Sequence, residues 1–422
     1  MSETALKQTA GTGSSTVVDK CQVCGSSDLK SVMFLGYLPP VNQMRLIGKP
    51  FAEQPAYPAE LLSCGRCGLV QLGLIVDPAI LFPPEYPYTS GTTKILRENF
   101  AEMYNECRQL FKLDAEDLIV DIGSNDGTLL SNFKNGGHRV LGIEPTLMAK
   151  LAEERGIPSI MSFFNQSAAE QARREKGQAT IVTATNVFAH IEHIDDIVKS
   201  ILTLLKDGGI FLSESHYLPS LVETLQYDTI YHEHLRYYSL SSLGYLLNRH
   251  GLEIIHAKRI PTHGGSIRVY AARKGKHAPK DTVKQILAEE KASGLDRGEL
   301  GDFKKKVMQT KLDLYKLLAD LKAKGARIYG IGAPSRASTL VNYVGLDDAI
   351  LDAVLEIKGS YKIGKYMPGT RIPVIDESHL FTDQPEYALL LSWHIADELI
   401  PKLKEKGFKG GFIVPLPCPR LK

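Results

Sequence analysis

The sequence predicts an α/β protein: a small cysteine module at the front, then two domains built on doubly wound sheets. Three observations carry this. Two CxxC pairs stand ahead of residue 70, apolar strands alternate with amphipathic helical stretches from Leu118 onward, and a second alternating series begins near residue 324. Alternation of strand and helix is the pattern of a parallel sheet covered by helices on both faces.

At 422 residues, 43% hydrophobic and 23% charged, the chain exceeds what one core supports and should divide into two or three domains. Fifty Lys+Arg against 48 Asp+Glu leave a formal net charge of +2. That balance is too even for the electrostatic grip of a non-specific nucleic-acid binder, so no nucleic-acid partner is expected. No apolar run reaches the roughly 18–20 residues needed to cross a bilayer, and the polar start lacks the basic-then-apolar pattern of a secretory signal. No membrane partner and a cytoplasmic location are therefore expected. In such a reducing compartment the six cysteines, four of them in CxxC pairs, read as metal ligands rather than disulfides.

Taken in order, residues 1–19 are small and polar and are expected to form a mobile tail, with structure starting near Lys20. Residues 20–85 have too few apolar groups for a self-sufficient core. Cys21-Gln-Val-Cys24 and Cys64-Gly-Arg-Cys67 supply the staple: four thiolates at this doubled spacing close a tetrahedron around a structural Zn2+ with no open position for catalysis. Cys107 and Cys418 lack a partner knuckle and read as small packing residues. In residues 86–275, LIVDIG, HRVLGIEP, ATIVTATNVFAHI, GGIFLSES and IRVYAAR read as strands of a parallel sheet. Residues 276–422 begin with a Lys/Glu/Leu-rich helical bridge. The second α/β series follows it, through ARIYGIGAP, AILDAVLE, YALLLSW and GGFIVPLP.

The first strand runs into a glycine-rich turn, Asp121-Ile-Gly123-Ser-Asn125-Asp126-Gly127, and then a helix, TLLSNF. Its D-x-G-x-x-x-G spacing is neither the dinucleotide G-x-G-x-x-G nor a P-loop, so the ligand need not be a pyrophosphate. Glu144 ends the next strand, where an acidic side chain can accept both ribose hydroxyls. Together these describe a nucleoside site.

VDIGSNDGTLL, GIEP and NVFAHI, with the four-cysteine module, YPYTSG, YHEH, HGGSIRV, GIGAPSRAST and GKYMPGTRIPV, resemble the sugar C-methyltransferases of deoxysugar biosynthesis along nearly the whole chain. The resemblance implies a class I methyltransferase Rossmann-like domain that binds S-adenosylmethionine through Asp121, Gly123, Asn125, Asp126, Gly127, Glu144 and Asn186. It implies a second Rossmann-like domain holding the nucleotide of a nucleoside-diphosphate sugar. Many relatives carry Glu at the position of Asp121, and either carboxylate serves.

Tyr231-His232-Glu233-His234 is the densest set of proton-transfer groups in the chain. A sulfonium-borne methyl is already electrophilic, so methylating carbon requires removal of a proton alpha to a carbonyl and stabilisation of the enolate. A histidine oriented by a carboxylate suits that task. The resemblance assigns the base to His234, with Glu233 and Tyr231 beside it, and places Tyr86, Tyr88 and His190 around the sugar. His232 with His234, or His190 with His193, could also chelate a divalent ion, but neither pair is H-E-x-x-H and no acidic cluster accompanies them.

In the C-terminal series, Gly330, Gly332, Ser335 and Arg336 stand between a strand and a helix, with Ser335 as the expected cap and Arg336 where a diphosphate would dock. Lys365 is a further phosphate candidate. By local pattern alone, with Glu356 closing the next strand, this half could equally be an NAD domain. The expected function is methyl transfer to a carbon, at C-3, of a nucleoside-diphosphate 4-keto-6-deoxy sugar. A sugar O-methyltransferase and a non-catalytic nucleotide-binding adaptor are the alternatives.

Overall fold

The computed structural model describes residues 14–50, 52–82, 91 and 93–422. The chain is paired earlier than its composition implied, because Ser15–Val17 forms an antiparallel ladder with Leu74–Val76. This Ser-Thr-Val segment has a ready-made edge to add to, which overrides its polar composition.

The N-terminal module is an antiparallel sheet of Leu29–Leu38, Tyr57–Cys64 and Val70–Leu72. Tyr57, Ala59 and Leu61 point inward at the two-residue period of a half-buried strand. A fourth strand, Arg236–Tyr237, arrives from the central domain and pairs with Val70 and Gln71.

The central sheet runs in the order Leu252–Ile260, Ser266–Arg273, Leu205–His216, Ala179–Thr185, Leu118–Ile122, Arg139–Ile143, Ser159–Ile160. The last five are parallel. All five residues of Leu118–Ile122 are buried, as its apolar run requires between two helical layers. On one of those layers, Ile194–Leu204 buries Ile194, Ile197, Val198, Ile201 and Leu204 along a single face. IRVYAAR corrects the expectation of an all-parallel sheet: Ser266–Arg273 is antiparallel to both neighbours. Only residues 261–265 separate it from Leu252–Ile260, too short a link for a parallel crossover, which takes about a dozen residues.

The C-terminal sheet has a parallel core of Gly411–Val414, Tyr387–Leu390, Ile328–Ile331, Ala353–Glu356 and Pro373–Asp376. Arg420–Leu421 adds antiparallel at one edge, and Lys365–Tyr366 followed by Arg45–Leu46 at the other. Arg45–Leu46 belongs to the N-terminal module, so both boundaries of that module are crossed by a strand. Between the domains, helix Asp281–Ser293 presents buried Glu290 to the backbone N–H groups of Leu240 and Ser241, capping helix Leu240–Arg249. Helix Phe303–Ala323 buries Phe303, Val307, Leu314, Leu318 and Leu321 in the core shared with the C-terminal sheet. Cys107 packs in a core, whereas Cys418 is exposed, since it lies in the Pro-flanked turn before the last strand. No helix among the described residues is long and apolar enough to cross a membrane.

Candidate active site

The four knuckle cysteines converge. Cys21 and Cys67 Sγ atoms lie 3.5 Å apart, as do those of Cys24 and Cys64, and all four fall within 4.8 Å of one another. A zinc tetrahedron with arms of ~2.3 Å has sulfur–sulfur edges of about 3.7 Å, so this donor set fits Zn2+ and leaves no ligand position open.

At the tip of Leu118–Ile122 the chain turns through Gly123 with φ 68°, and a Cβ there would lie 2.5 Å from Val187. Gly127 has φ 73° and caps helix Thr128–Asn135; a Cβ on it would press on Ile157 and Ala152, so close packing as well as conformation demands glycine. Glu144, buried at the tip of the second strand, accepts from Asn125 N at 3.0 Å and from Thr146 N at 2.9 Å. Asn125 and Asn186 both adopt positive φ, at the ends of the first and fourth parallel strands. This glycine-lined cradle, with an acidic residue at the second strand tip, fits S-adenosylmethionine. Asp126 has another employment. Its carboxylate accepts from Thr128 N and Gly91 N and pairs with Arg155 at 3.0 Å, bracing the loop from behind.

The Tyr-His-Glu-His segment splits between two faces. His232 Nε2 donates to the Pro58 carbonyl at 3.2 Å and its ring packs against Tyr57, so it serves the boundary with the N-terminal module. His234 faces a cluster of rings in which it and Tyr231 are buried and His190, His216 and His263 half-buried. Its ring centroid lies 4.1 Å from Tyr231, 4.9 Å from His190 and 4.8 Å from His216, which in turn lies 5.6 Å from His263. His234 Nδ1 is 2.7 Å from the Thr229 carbonyl oxygen, which can only accept, so Nδ1 carries the hydrogen and Nε2 holds the free lone pair. Arg236, fully buried, donates to the carbonyls of Ile191 and Glu192, and Leu235 N to Ala189 O, tying the His190 loop to the His234 segment. Tyr86 and Tyr88 lie outside the described residues.

Arg336 corrects its expected role. Its guanidinium forms a bidentate pair with Asp228 at 2.8 Å on both arms and lies over the Trp393 ring, whose Nε1 also donates to Asp228. Buried and fully engaged, it locks the central domain to the C-terminal one and is not free to hold a diphosphate. Ser335 likewise begins the helix Ser335–Val344 rather than capping it; Pro334 holds the cap position. Lys365 sits in the strand next to the sheet edge with Nζ over the Tyr361 ring, while Lys362, three residues before it, reaches the glycine turn and donates to Ala333 O. Ala333 N donates to Glu356 Oε1 at 2.7 Å, matching the Asn125 to Glu144 bond of the first domain.

Reading the sequence missed His216, His263, Asp228 and Lys362. His263 opens HGGSIRV and His216 directly follows GGIFLSES, but nothing local aims them at His234.

Burial sets the protonation of the site. It holds the imidazoles of His190, His232 and His263 down at about 4, and those of His216, His234 and His394 well below their ordinary value. Burial, reinforced by the charge of Glu144, pushes Asp121 up to about 7 against the Thr183 hydroxyl bond, and burial also raises Glu214. The histidines therefore contribute stability that is complete above the unfolded value near pH 6.5 and is lost as pH falls through their folded values. The two carboxylates act in the opposite sense. The histidines outnumber the raised carboxylates, so unfolding takes up protons below pH 6.5 and stability falls with pH there. Calorimetric unfolding temperature should thus fall steeply between pH 6.5 and 4.5; a flat profile would contradict the neutral cluster.

Comparisons with known proteins identify a methyltransferase family. A family model described as C-methyltransferase C-terminal domain matches residues 261–417, a methyltransferase domain model matches 95–257, and a zinc binding domain model matches 21–82. C-methyltransferase NovU of Streptomyces niveus is 32% identical over 408 residues, covering 96% of this chain and 97% of that relative. A ubiquinone biosynthesis O-methyltransferase of Acinetobacter baylyi is 30% identical over 100 residues, 22% of this chain and 42% of that protein. Among solved structures, the magnesium protoporphyrin IX methyltransferase of Synechocystis PCC 6803 with bound SAH aligns with 42% of this chain and 83% of its own. Its TM-score is 0.33 at 13% identity.

Proposed function

Since this chain belongs to the C-methyltransferase family and is an S-adenosylmethionine-dependent C-methyltransferase, we propose that it methylates C-3 of a nucleoside-diphosphate 4-keto-6-deoxy sugar, with His234 as base. The observation that supports this reading is the fixed tautomer of His234: an uncharged, buried imidazole with Nδ1 tied to the Thr229 carbonyl and Nε2 left as the basic nitrogen. S-adenosylmethionine supplies an electrophilic methyl when bound. The chain's own residues do the rest. His234 Nε2 takes the proton alpha to the sugar ketone, and the electron pair of that C–H bond becomes an enolate. Tyr231, kept protonated by burial, offers a hydrogen-bond donor to the enolate oxygen, and His190, its ring 4.9 Å from that of His234, stands beside it. The nucleotide is assigned to the glycine turn of the C-terminal domain, with Ser335 and Lys362 in place of Arg336 and Lys365.

Incubation with S-adenosylmethionine carrying a 13C-methyl and a panel of nucleotide keto-sugars tests the proposal. The label should couple directly to a sugar carbon by NMR; label on oxygen, or no product from any keto-sugar, would overturn it. Glu144→Ala should weaken donor binding by ~1.5–3 kcal/mol, the cost of a charge-assisted hydrogen bond, with Asn125 loosened as well. Calorimetric titration reads this directly, and unchanged affinity would remove Glu144 from the ribose.

A further inference from the structure

Glu233 receives a partner from an unexpected direction. Asn42, 191 residues away in the N-terminal module, donates from Nδ2 to Glu233 Oε1 at 2.8 Å. The carbonyl end of the same amide, Oδ1, accepts from Ser335 Oγ of the C-terminal domain at 3.4 Å. The carboxylate can only accept and the hydroxyl can donate, so these partners fix the amide orientation. One side chain therefore joins groups from all three parts of the chain.

The backbone around it is held at both ends. Leu38, Pro39, Pro40 and Val41 are buried where the strand Leu29–Leu38 ends, Gln43 N donates to Pro40 O at 3.1 Å, and Arg45–Leu46 is paired into the C-terminal sheet. Two prolines limit the freedom of this turn before the amide meets its partners. The charged groups that face Glu233 are Lys362, from the C-terminal domain, and the ionisable phenols of Tyr231 and Tyr361.

We infer that Asn42 is a positioning residue for the proton-abstraction step: it orients Glu233, the residue before His234 in the chain, and favours its ionised form. The inference rests on the proposed reading of the Tyr-His-Glu-His segment. It gives the zinc module a part in the chemistry although none of its cysteines touches the site.

Four proteins test it, each loaded with zinc: the parent, Asn42→Ala, Glu233→Gln and the double variant, with Asn42→Asp as a same-shape control. Asn42→Ala should lower kcat about tenfold and leave the KM for S-adenosylmethionine unchanged, since a hydrogen bond to a charged group is lost. Asn42→Asp, which sets a second carboxylate against Glu233, should lower kcat further. In both, the acid limb of the pH–rate profile should move to higher pH, because the charged form of Glu233 has lost a donor. Zinc content and unfolding temperature should match the parent. In the Glu233→Gln background, Asn42→Ala should cost little more. An Asn42→Ala variant with parental kcat and pH profile, or one equally damaging with and without Glu233, overturns the inference while the proposed function stands. Normal turnover by Glu233→Gln overturns the reading on which it rests.

Discussion

His234→Asn should lower turnover by roughly 10²–10⁴-fold while both ligands still bind, because a positioned general base is worth about that much. Asparagine retains a side-chain N–H toward the Thr229 carbonyl but offers no basic nitrogen on the opposite side. The neighbouring rings of Tyr231, His190 and His216 remain in place. Binding and chemistry should therefore separate. The sharper measurement is exchange of the sugar α-hydrogen with deuterated solvent in the absence of a competent methyl donor, since enolate formation precedes transfer. Exchange should fall in step with turnover. A variant that exchanges at the parental rate yet methylates slowly would move the base elsewhere, first to Tyr86 and then to His190.

Removing zinc should be as damaging, though the metal lies outside the chemistry. Metal analysis should find one zinc per chain, and Cys64→Ser should lose it. Structural zinc contributes ~10–16 kcal/mol to small modules at neutral pH, about as much as the whole stability of an ordinary domain, so the module should not survive chelation. Its loss reaches the active site by a short route. Val70 and Gln71 pair with Tyr237 and Arg236, and Leu72 N donates to Leu235 O, the residue after His234. Cys21, Cys64 and Cys67 also share a core cluster with Leu118, Val120 and Tyr238 of the central domain. Chelation should therefore abolish measurable turnover and lower the unfolding temperature. Less than half an equivalent of zinc in undamaged protein, or an unchanged content in Cys64→Ser, would refute the assignment.

The parts of this structure that were legible in the sequence are those whose signal is local. Leu118–Ile122 reads as a buried strand because burial on both faces makes it apolar but for Asp121, and the glycines after it read as a ligand turn because positive φ and close packing at Gly123 and Gly127 favour glycine. Leu252–Ile260 escaped because Lys258 and Arg259 break its apolar run; they extend to Glu102 and Glu223 at the sheet surface. Arg336 was misread because its position at a helix start is an anion site by local rules, while the carboxylate that claims it, Asp228, lies 108 residues upstream. Density of proton-transfer groups drew attention to the Tyr-His-Glu-His segment, but only the fold divides it. Residues two apart face opposite ways, one histidine to the module and one to the cluster.

The exchanged strands bear on any attempt to recombine this enzyme with its relatives. A chimera that transplants the C-terminal domain at a linker would leave Arg45–Leu46 of the host to zip onto a foreign Lys365–Tyr366, and a host Asp228 to meet whatever residue replaces Arg336. Mismatch at the first exposes a sheet edge, a template for aggregation, and mismatch at the second strands a buried charge, which costs about 3–5 kcal/mol. Graft boundaries that follow contact rather than chain order, carrying residues 39–46 and 226–229 with the C-terminal domain, would move each strand and each ion pair as a complete set.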